Sequence, residues 1–228
     1  MRLIIIGAGG HGRVVADGAR AAGIDIFAFV DSCPPAAEIS GIPVYANLET
    51  ALAENEYEQP QFIIALGNNH IRAKEYAHAC AAGLTPACVI HPTALISDSA
   101  YIGPGSFVAA FAVVNTDASV GENVIVNTGA IVEHDCVVGS HAFVAPGAVL
   151  CGGARIGAYT FVSTNATLIP EAKVGENVLV AAGAVVTKNF PDDLRLMGVP
   201  AIHRPLPQPR PETWRSKKQQ RKAKKADA

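Results

Sequence analysis

Histidine and aspartate stand side by side at His134 and Asp135, within Val132-Glu133-His134-Asp135-Cys136-Val137. A neutral imidazole near pH 7 accepts a proton from an amine or hydroxyl nucleophile, and a neighbouring carboxylate fixes its tautomer and raises its basicity. Asp117, eighteen residues before Asp135, is a second candidate for that orienting role. Gly152, eighteen residues after His134, lies in Cys151-Gly152-Gly153. Its backbone N–H, unhindered by a side chain, suits donation to an acyl carbonyl oxygen as charge builds on it. Together these groups suit acyl transfer. The other histidines of this region read differently: His91 adjoins Pro92 as a structural corner, and His141 reads as a solvated corner histidine. Three histidines converging on zinc, as in a metal hydratase, would need a common spacing that His91, His134 and His141 do not keep.

A second group of residues suits phosphate. Gly7-Ala8-Gly9-Gly10-His11-Gly12 follows the apolar run Leu3–Ile6 and fits G-x-G-x-x-G through Gly7, Gly9 and Gly12, with Asp31 nineteen residues later. Glycines let the backbone approach a phosphate, and a helix amino end offers free N–H groups and positive dipole. About 86 residues hold only one mononucleotide-binding half, which argues for a nucleotide or nucleotide-sugar pocket rather than a redox site. His11 within the glycine loop could donate to a phosphate or a sugar. Gly67-Asn68-Asn69 closes the third strand at its ligand side. Asn68 could read a base or sugar edge or cap the next helix; for Asn69, directly before the helix, a cap is the better reading.

The elements that must position these residues obey two different rules. Residues 1–86 alternate strand and helix: strands at Leu3–Ile6, Phe27–Val30 and Phe62–Leu66, and helices at Arg13–Ala22, Leu48–Glu56 and Ile71–Ala82, form a small parallel α/β layer. From Ile90 to Val186 every sixth residue is aliphatic, and a small residue follows four positions after nearly every one (Ala94, Ser106, Cys136, Ala148). Neither a helix nor a flat strand sustains a period of six. A solenoid with short sides does. Gly103, Gly121, Gly139, Gly157 and Gly175 recur every eighteen residues, so one coil has three sides and the glycines stack at one corner, where their turn angles are an asset. His134 and Gly152 then occupy one column, about 5 Å apart along the wall. Thr164 and Ala182 share another column that could line a groove for a long, thin cofactor.

The chain has 228 residues, half of them hydrophobic, which suffices for two domains with full cores. We expect an α/β amino-terminal Rossmann-like half-domain over 1–86, an all-β parallel β-helix over 87–190, and a carboxy-terminal extension over 191–228 with a basic, disordered tail. No apolar run suggests a signal peptide or a membrane span. Five cysteines without metal-type spacing read as reduced thiols of a cytoplasmic protein. Net charge is −2; seven Lys or Arg and one Asp from Trp214 onward give +6, leaving −8 on the rest. Such a tail reads as a solvated end that could touch acidic lipid or nucleic acid, and the acidic body argues against nucleic acid as the main partner.

The order Gly7-Ala8-Gly9-Gly10-His11-Gly12, Gly67-Asn68-Asn69, the run from Asn127 to Gly139 (NTGAIVEHDCVVG) and Gly198–Ala201 resembles the bacterial sugar O- and N-acyltransferases. These are the sialic-acid O-acetyltransferase and nucleotide-4-amino-sugar N-acetyltransferase group of the hexapeptide-repeat superfamily. The resemblance extends to about residue 205. It implies a left-handed β-helix, a homotrimer with active sites between adjacent prisms, acetyl-CoA along the prism groove without a metal, and a nucleotide-linked amino sugar in the amino-terminal domain. His134 matches the family's base, Asp135 its acidic partner, and Gly152 the donor to the acetyl carbonyl. Phe143, Gly152, Thr164 and Ala182 match positions along the CoA path. Gly9, Gly10, His11, Asp31, Ser32 and Gly67 match the sugar-nucleotide pocket. Phe143 departs from the pattern: some members carry a second histidine there, so Gly152 becomes the better donor. The implied reaction is direct acetyl transfer to the amine of a 4-amino-6-deoxy sugar. O-acetylation of a sugar hydroxyl and a non-catalytic nucleotide-binding trimer are the alternatives.

Overall fold

A computed structural model describes residues 2–54 and 60–205; the basic segment from Trp214 onward, with its expected lipid contact, lies outside them. The first half contains β1 (Arg2–Ile6), α1 (Gly10–Ala21), β2 (Asp25–Val30), β3 (Glu38–Ile39), β4 (Ile42–Tyr45), α2 (Leu48–Ala53), β5 (Gln61–Ile64), α3 (Asn69–Ala81) and β6 (Thr85–Pro86). The strands form one sheet in the order β3-β4-β2-β1-β5-β6. A central parallel strand is covered on both faces and so reads as a continuous apolar run. In β1, Leu3 and Ile5 face α1, while Ile4 and Ile6 face α2 and α3.

The β3–β4 hairpin was not expected from the sequence. Its Ser40-Gly41 turn takes positive φ at both residues (51° and 76°) between Ile39 and Ile42, as a tight hairpin with the twist of its strands requires. β4 then pairs in parallel with β2, which extends the sheet beyond the loop carrying Asp31.

From Val89 the chain winds as a triangular prism of two-residue strands joined by four-residue corners. Each strand pairs in parallel with the one eighteen residues away, as in Val114↔Val132↔Leu150. The first face stacks strands from Val89–Ile90 to Leu179–Val180, the second from Leu95–Ile96 to Val185–Val186, and the third from Tyr101–Ile102 to Lys173–Val174. Leu194–Met197 and Ile202–Pro205 continue the first face, so pairing does not stop at residue 190. The six-residue column points inward and is buried from Val108 onward. A left-handed backbone residue marks each corner at intervals of six, from Gly105 through Phe111, Asp117 and Asp135 to Gly183.

The stacked glycines exist for another reason than the one expected. None of Gly103, Gly121, Gly139, Gly157 or Gly175 has positive φ. A Cβ on Gly103 or Gly157 would instead lie 2.5 Å from backbone of the next coil. Coil-to-coil approach, not turn geometry, excludes a side chain there.

The two halves share a core. Phe107, Ile125, Phe143 and Phe161 project from the first face, and the first three are buried with Leu3, Ile5, Val15 and Ala19. A Cβ on Gly18 would be 3.0 Å from the Phe107 ring, so α1 lies directly on the prism. Each such buried phenylalanine contributes about 2–3 kcal/mol. No helix among the described residues is long and apolar enough to cross a membrane.

Candidate active site

His134 and Asp135 occupy the corner between the second and third faces. Asp135 has φ +59°, and aspartate is one of the few side chains that tolerates this region. Its Oδ2 lies 2.8 Å from His134 Nδ1. The carboxylate therefore holds the proton on Nδ1 and leaves the Nε2 lone pair free as a base. The hydrogen bond to Asp135 pushes the imidazole pKa up; desolvation opposes it, while the charges of Asp135 and then Glu133 add to the rise. Asn115 Nδ2 donates to Glu133 Oε2 at 3.0 Å and fixes that second carboxylate. Asp117 does not share the orienting role: its N–H takes Ser99 Oγ, and its carboxylate makes no bond to His134 among the described residues.

Because only the neutral imidazole takes a proton, a raised pKa places the acid limb of kcat/KM above the ordinary histidine value of 6.5. Asp135→Asn is expected to move that limb to lower pH and to reduce the alkaline plateau about tenfold or more, as the tautomer is no longer enforced. A pH–rate profile of both proteins reads the two effects separately.

Gly152 sits directly over the imidazole. A Cβ there would lie 2.5 Å from His134 Nε2 and 2.6 Å from Cε1. The adjoining coils are tied by Gly153 N–H to His134 O at 2.8 Å and Glu171 N–H to Gly152 O at 2.9 Å. The Gly152 N–H itself donates to nothing among the described residues. A base and an unused donor thus lie next to each other on adjoining coils.

The remaining expected cofactor residues do not join them within one chain. Thr164 and Ala182 are exposed at the corner between the first and second faces, with Gly183 N–H bound to Thr164 O. The whole second face separates them from His134. Phe143 must be removed from the group: it is 6% exposed, stacked on Phe161 at 4.5 Å, in the seam that the amino-terminal half covers. His141 is not a solvated corner residue either. Its Nδ1 lies 2.9 Å from Asn123 Nδ2, its ring stacks on Tyr159, and burial lowers its pKa. His91, His134 and His141 occupy three different corners, and the described residues contain no group of three or more His, Cys, Asp or Glu arranged to hold a metal ion.

The phosphate-type residues do converge. A cavity of about 720 Å³ at the carboxyl edge of the sheet is lined by Gly9, Gly10, His11, Asp31, Ser32 and Gly67. Gly12 is obligatory, since a Cβ there would strike the Gly7 carbonyl, whereas Gly9 and Gly10 leave open space. The first turn of α1 faces this space with no side-chain cap on its N–H groups. Asp31 ties two loops together, accepting from Ala8 N–H at 2.9 Å and Cys33 N–H at 3.0 Å. His11 is largely buried, and its pKa is lowered to about 4, first by desolvation and then by the charge of Arg72. It is a neutral ring whose buried Nε2 has no partner among the described residues.

Of the two asparagines, Asn68 takes the cap among its two readings, and Asn69 does not take the cap expected of it. Asn68 caps α3, its Oδ1 accepting from Ile71 N–H at 3.0 Å, and it does not line the cavity. Asn69 is no cap: its Nδ2 donates to Tyr159 O at 2.8 Å across the seam. Asn47, Glu49, Glu75 and His78 also line the cavity and were missed. Only the i, i+4, i+7 spacing of Ile71, Glu75 and His78 on α3 marked them as one face.

The PglD N-terminal domain model matches residues 2–78, and the bacterial transferase hexapeptide model matches residues 117–152 and 153–188. No curated protein matches the chain. Among solved structures, PerB from Caulobacter crescentus, in complex with CoA and GDP-perosamine, is 35% identical with a TM-score of 0.84, over 90% of this chain and 97% of that one. The acetyltransferase domain of PglB from Neisseria gonorrhoeae, in complex with acetyl coenzyme A, is 40% identical with a TM-score of 0.83, over 90% and 98%. WeeI from Acinetobacter baumannii is 25% identical with a TM-score of 0.82, over 90% and 100%.

Proposed function

The chain belongs to the hexapeptide-repeat sugar N-acetyltransferases that carry a PglD-type amino-terminal domain, and on that premise we propose that His134 and Gly152 transfer acetyl from acetyl-CoA to the amine of a nucleotide-linked 4-amino sugar held in the amino-terminal cavity. Acetyl-CoA is a substrate here, not a resident cofactor. The amine lone pair attacks the acetyl carbonyl carbon, forming the C–N bond, and His134 Nε2 takes the proton the nitrogen sheds. The carbonyl electrons move to oxygen, where the free Gly152 N–H stabilises them. Collapse breaks the C–S bond, and the thiolate of CoA leaves with the proton returned from His134. No acyl-enzyme is required. The observation that carries this reading is the pairing of a tautomer-fixed imidazole with an unused N–H beside it.

The components also argue for a site shared between chains. The nucleotide cavity lies in the half that covers the first face, and none of its lining residues is on the corner that carries His134. Thr164 and Ala182, our proposed CoA path, lie on yet another corner. A homotrimer of prisms side by side brings one chain's His134 corner to another's first–second corner. Leu95 and Phe111, 67% and 70% exposed near the latter corner, are apolar surface that such packing would cover.

Mixing tests this arrangement. Trimers of His134→Ala and of Gly9→Phe, which fills the cavity, are each expected to be inactive with acetyl-CoA and a nucleotide-linked 4-amino sugar. Dissociated and reassembled together in equal amounts, they should regain about a quarter of wild-type turnover, because that share of random interfaces joins an intact cavity to an intact base. No recovery from co-assembled chains would place the site within one protomer.

A further inference from the structure

Arg72, on α3, is the largest fully buried side chain among the described residues. Isolated buried charges are costly and normally sit against a counter-charge. Arg72 has no carboxylate within ion-pair distance among the described residues; carbonyl oxygens surround it instead. Nε donates to Asn123 O at 3.1 Å, and one terminal nitrogen donates to His141 O at 2.6 Å and Ala142 O at 2.9 Å. Those three carbonyls belong to adjacent coils of the prism. The other terminal nitrogen donates to Leu66 O at 3.1 Å, in the loop Ala65-Leu66-Gly67 that lines the cavity.

That loop is in close contact with the glycine loop. A Cβ on Gly7 would lie 2.7 Å from Ala65 O, and Ala65 N–H donates to Ile6 O at 2.7 Å. A shift of Leu66 is therefore passed to Gly7 and to the amino end of α1. The guanidinium charge also reaches the cavity, since it bears on His11, which lines it.

We propose that Arg72 is a positioning residue for the nucleotide sugar: its fork clamps the Ala65–Gly67 loop onto the prism, and its positive charge, unmatched by any carboxylate, is directed to the diphosphate. The proposal rests on the cavity holding a nucleotide sugar. Arg72 touches no reacting atom. Its field reaches the cavity wall at His11, and in a poorly screened interior such interactions exceed those in water. His11, kept neutral, adds no positive charge of its own there.

The test is calorimetric titration of the full-length protein with GDP and UDP, and with guanosine and uridine. For whichever diphosphate the wild type binds, Arg72→Met is expected to lose affinity at least about tenfold, and the matching nucleoside less than about threefold. KM for acetyl-CoA and the pH midpoint of the His134 limb should stay unchanged. Arg72→Gln, which can still donate to the carbonyls but carries no charge, serves as the milder variant if methionine prevents folding, and should show the same diphosphate-selective loss. Equal losses for diphosphate and nucleoside in either variant would overturn the proposal and leave Arg72 a purely structural clamp. A wild type that binds neither diphosphate would overturn the nucleotide reading of the cavity itself, a distinct failure.

Discussion

His134→Ala is expected to lower kcat about 10²–10⁴-fold, the usual share of a positioned general base, with KM for both substrates changed little. The chemistry behind this is narrow. An amine attacking a thioester must lose a proton as the C–N bond forms, and His134 Nε2 is an acceptor on this corner whose ring is oriented by a carboxylate. Asp135 accepts Nδ1–H at 2.8 Å from a left-handed corner residue, so the lone pair is aimed before substrate arrives. His134→Gln, of similar size but unable to accept a proton at neutral pH, should fall as far. Steady-state CoA release with both substrates varied separates a kcat loss from a binding loss. A variant with the wild-type kcat would remove His134 from the reaction.

Gly152→Ala should be nearly as damaging, although it changes one methyl group on a wall. That methyl would lie 2.5 Å from Nε2, well inside contact distance. The coil cannot yield, because hydrogen bonds to the coils on both sides hold it. The imidazole must rotate away, losing the bond to Asp135, and the N–H donor becomes partly screened. Loss of an oxyanion donor alone costs about 10²–10³ in kcat. Thermal unfolding should barely change, since Gly152 does not need positive φ. The acid limb should move to lower pH, as with Asp135→Asn, because the hydrogen bond that raises the pKa is broken. Unchanged kcat and an unchanged limb would show that the ring has room the geometry denies it.

How far the sequence disclosed these features depends on what each rests on. The prism was legible because a solenoid repeats one local environment: Val114, Val132 and Leu150 meet the same neighbours, so the period survives in the residue types. The His134–Asp135–Gly152 group was legible for the same reason, since an eighteen-residue ruler converts sequence spacing into height on the wall. The glycine loop and Asp31 were visible through their spacing, and the cavity unites them. What failed depended on contacts between the halves. Phe143 and His141 look alike as corner and face residues until α1 and α3 cover them. Asn68 and Asn69 differ only in which one meets Tyr159. Arg72 resembles any exposed helix charge, because its hydrogen-bond partners are backbone carbonyls, which leave no mark in the sequence.

The most direct measurement is product formation: purified protein, acetyl-CoA and GDP- or UDP-linked 4-amino-4,6-dideoxy sugars, with CoA release followed beside mass and NMR analysis of the sugar. The expected result is one acetyl group on the C4 nitrogen per CoA released, in wild type and not in His134→Ala. CoA release without an acetylated sugar, acetylation at a hydroxyl, or an equal rate in His134→Ala would contradict it.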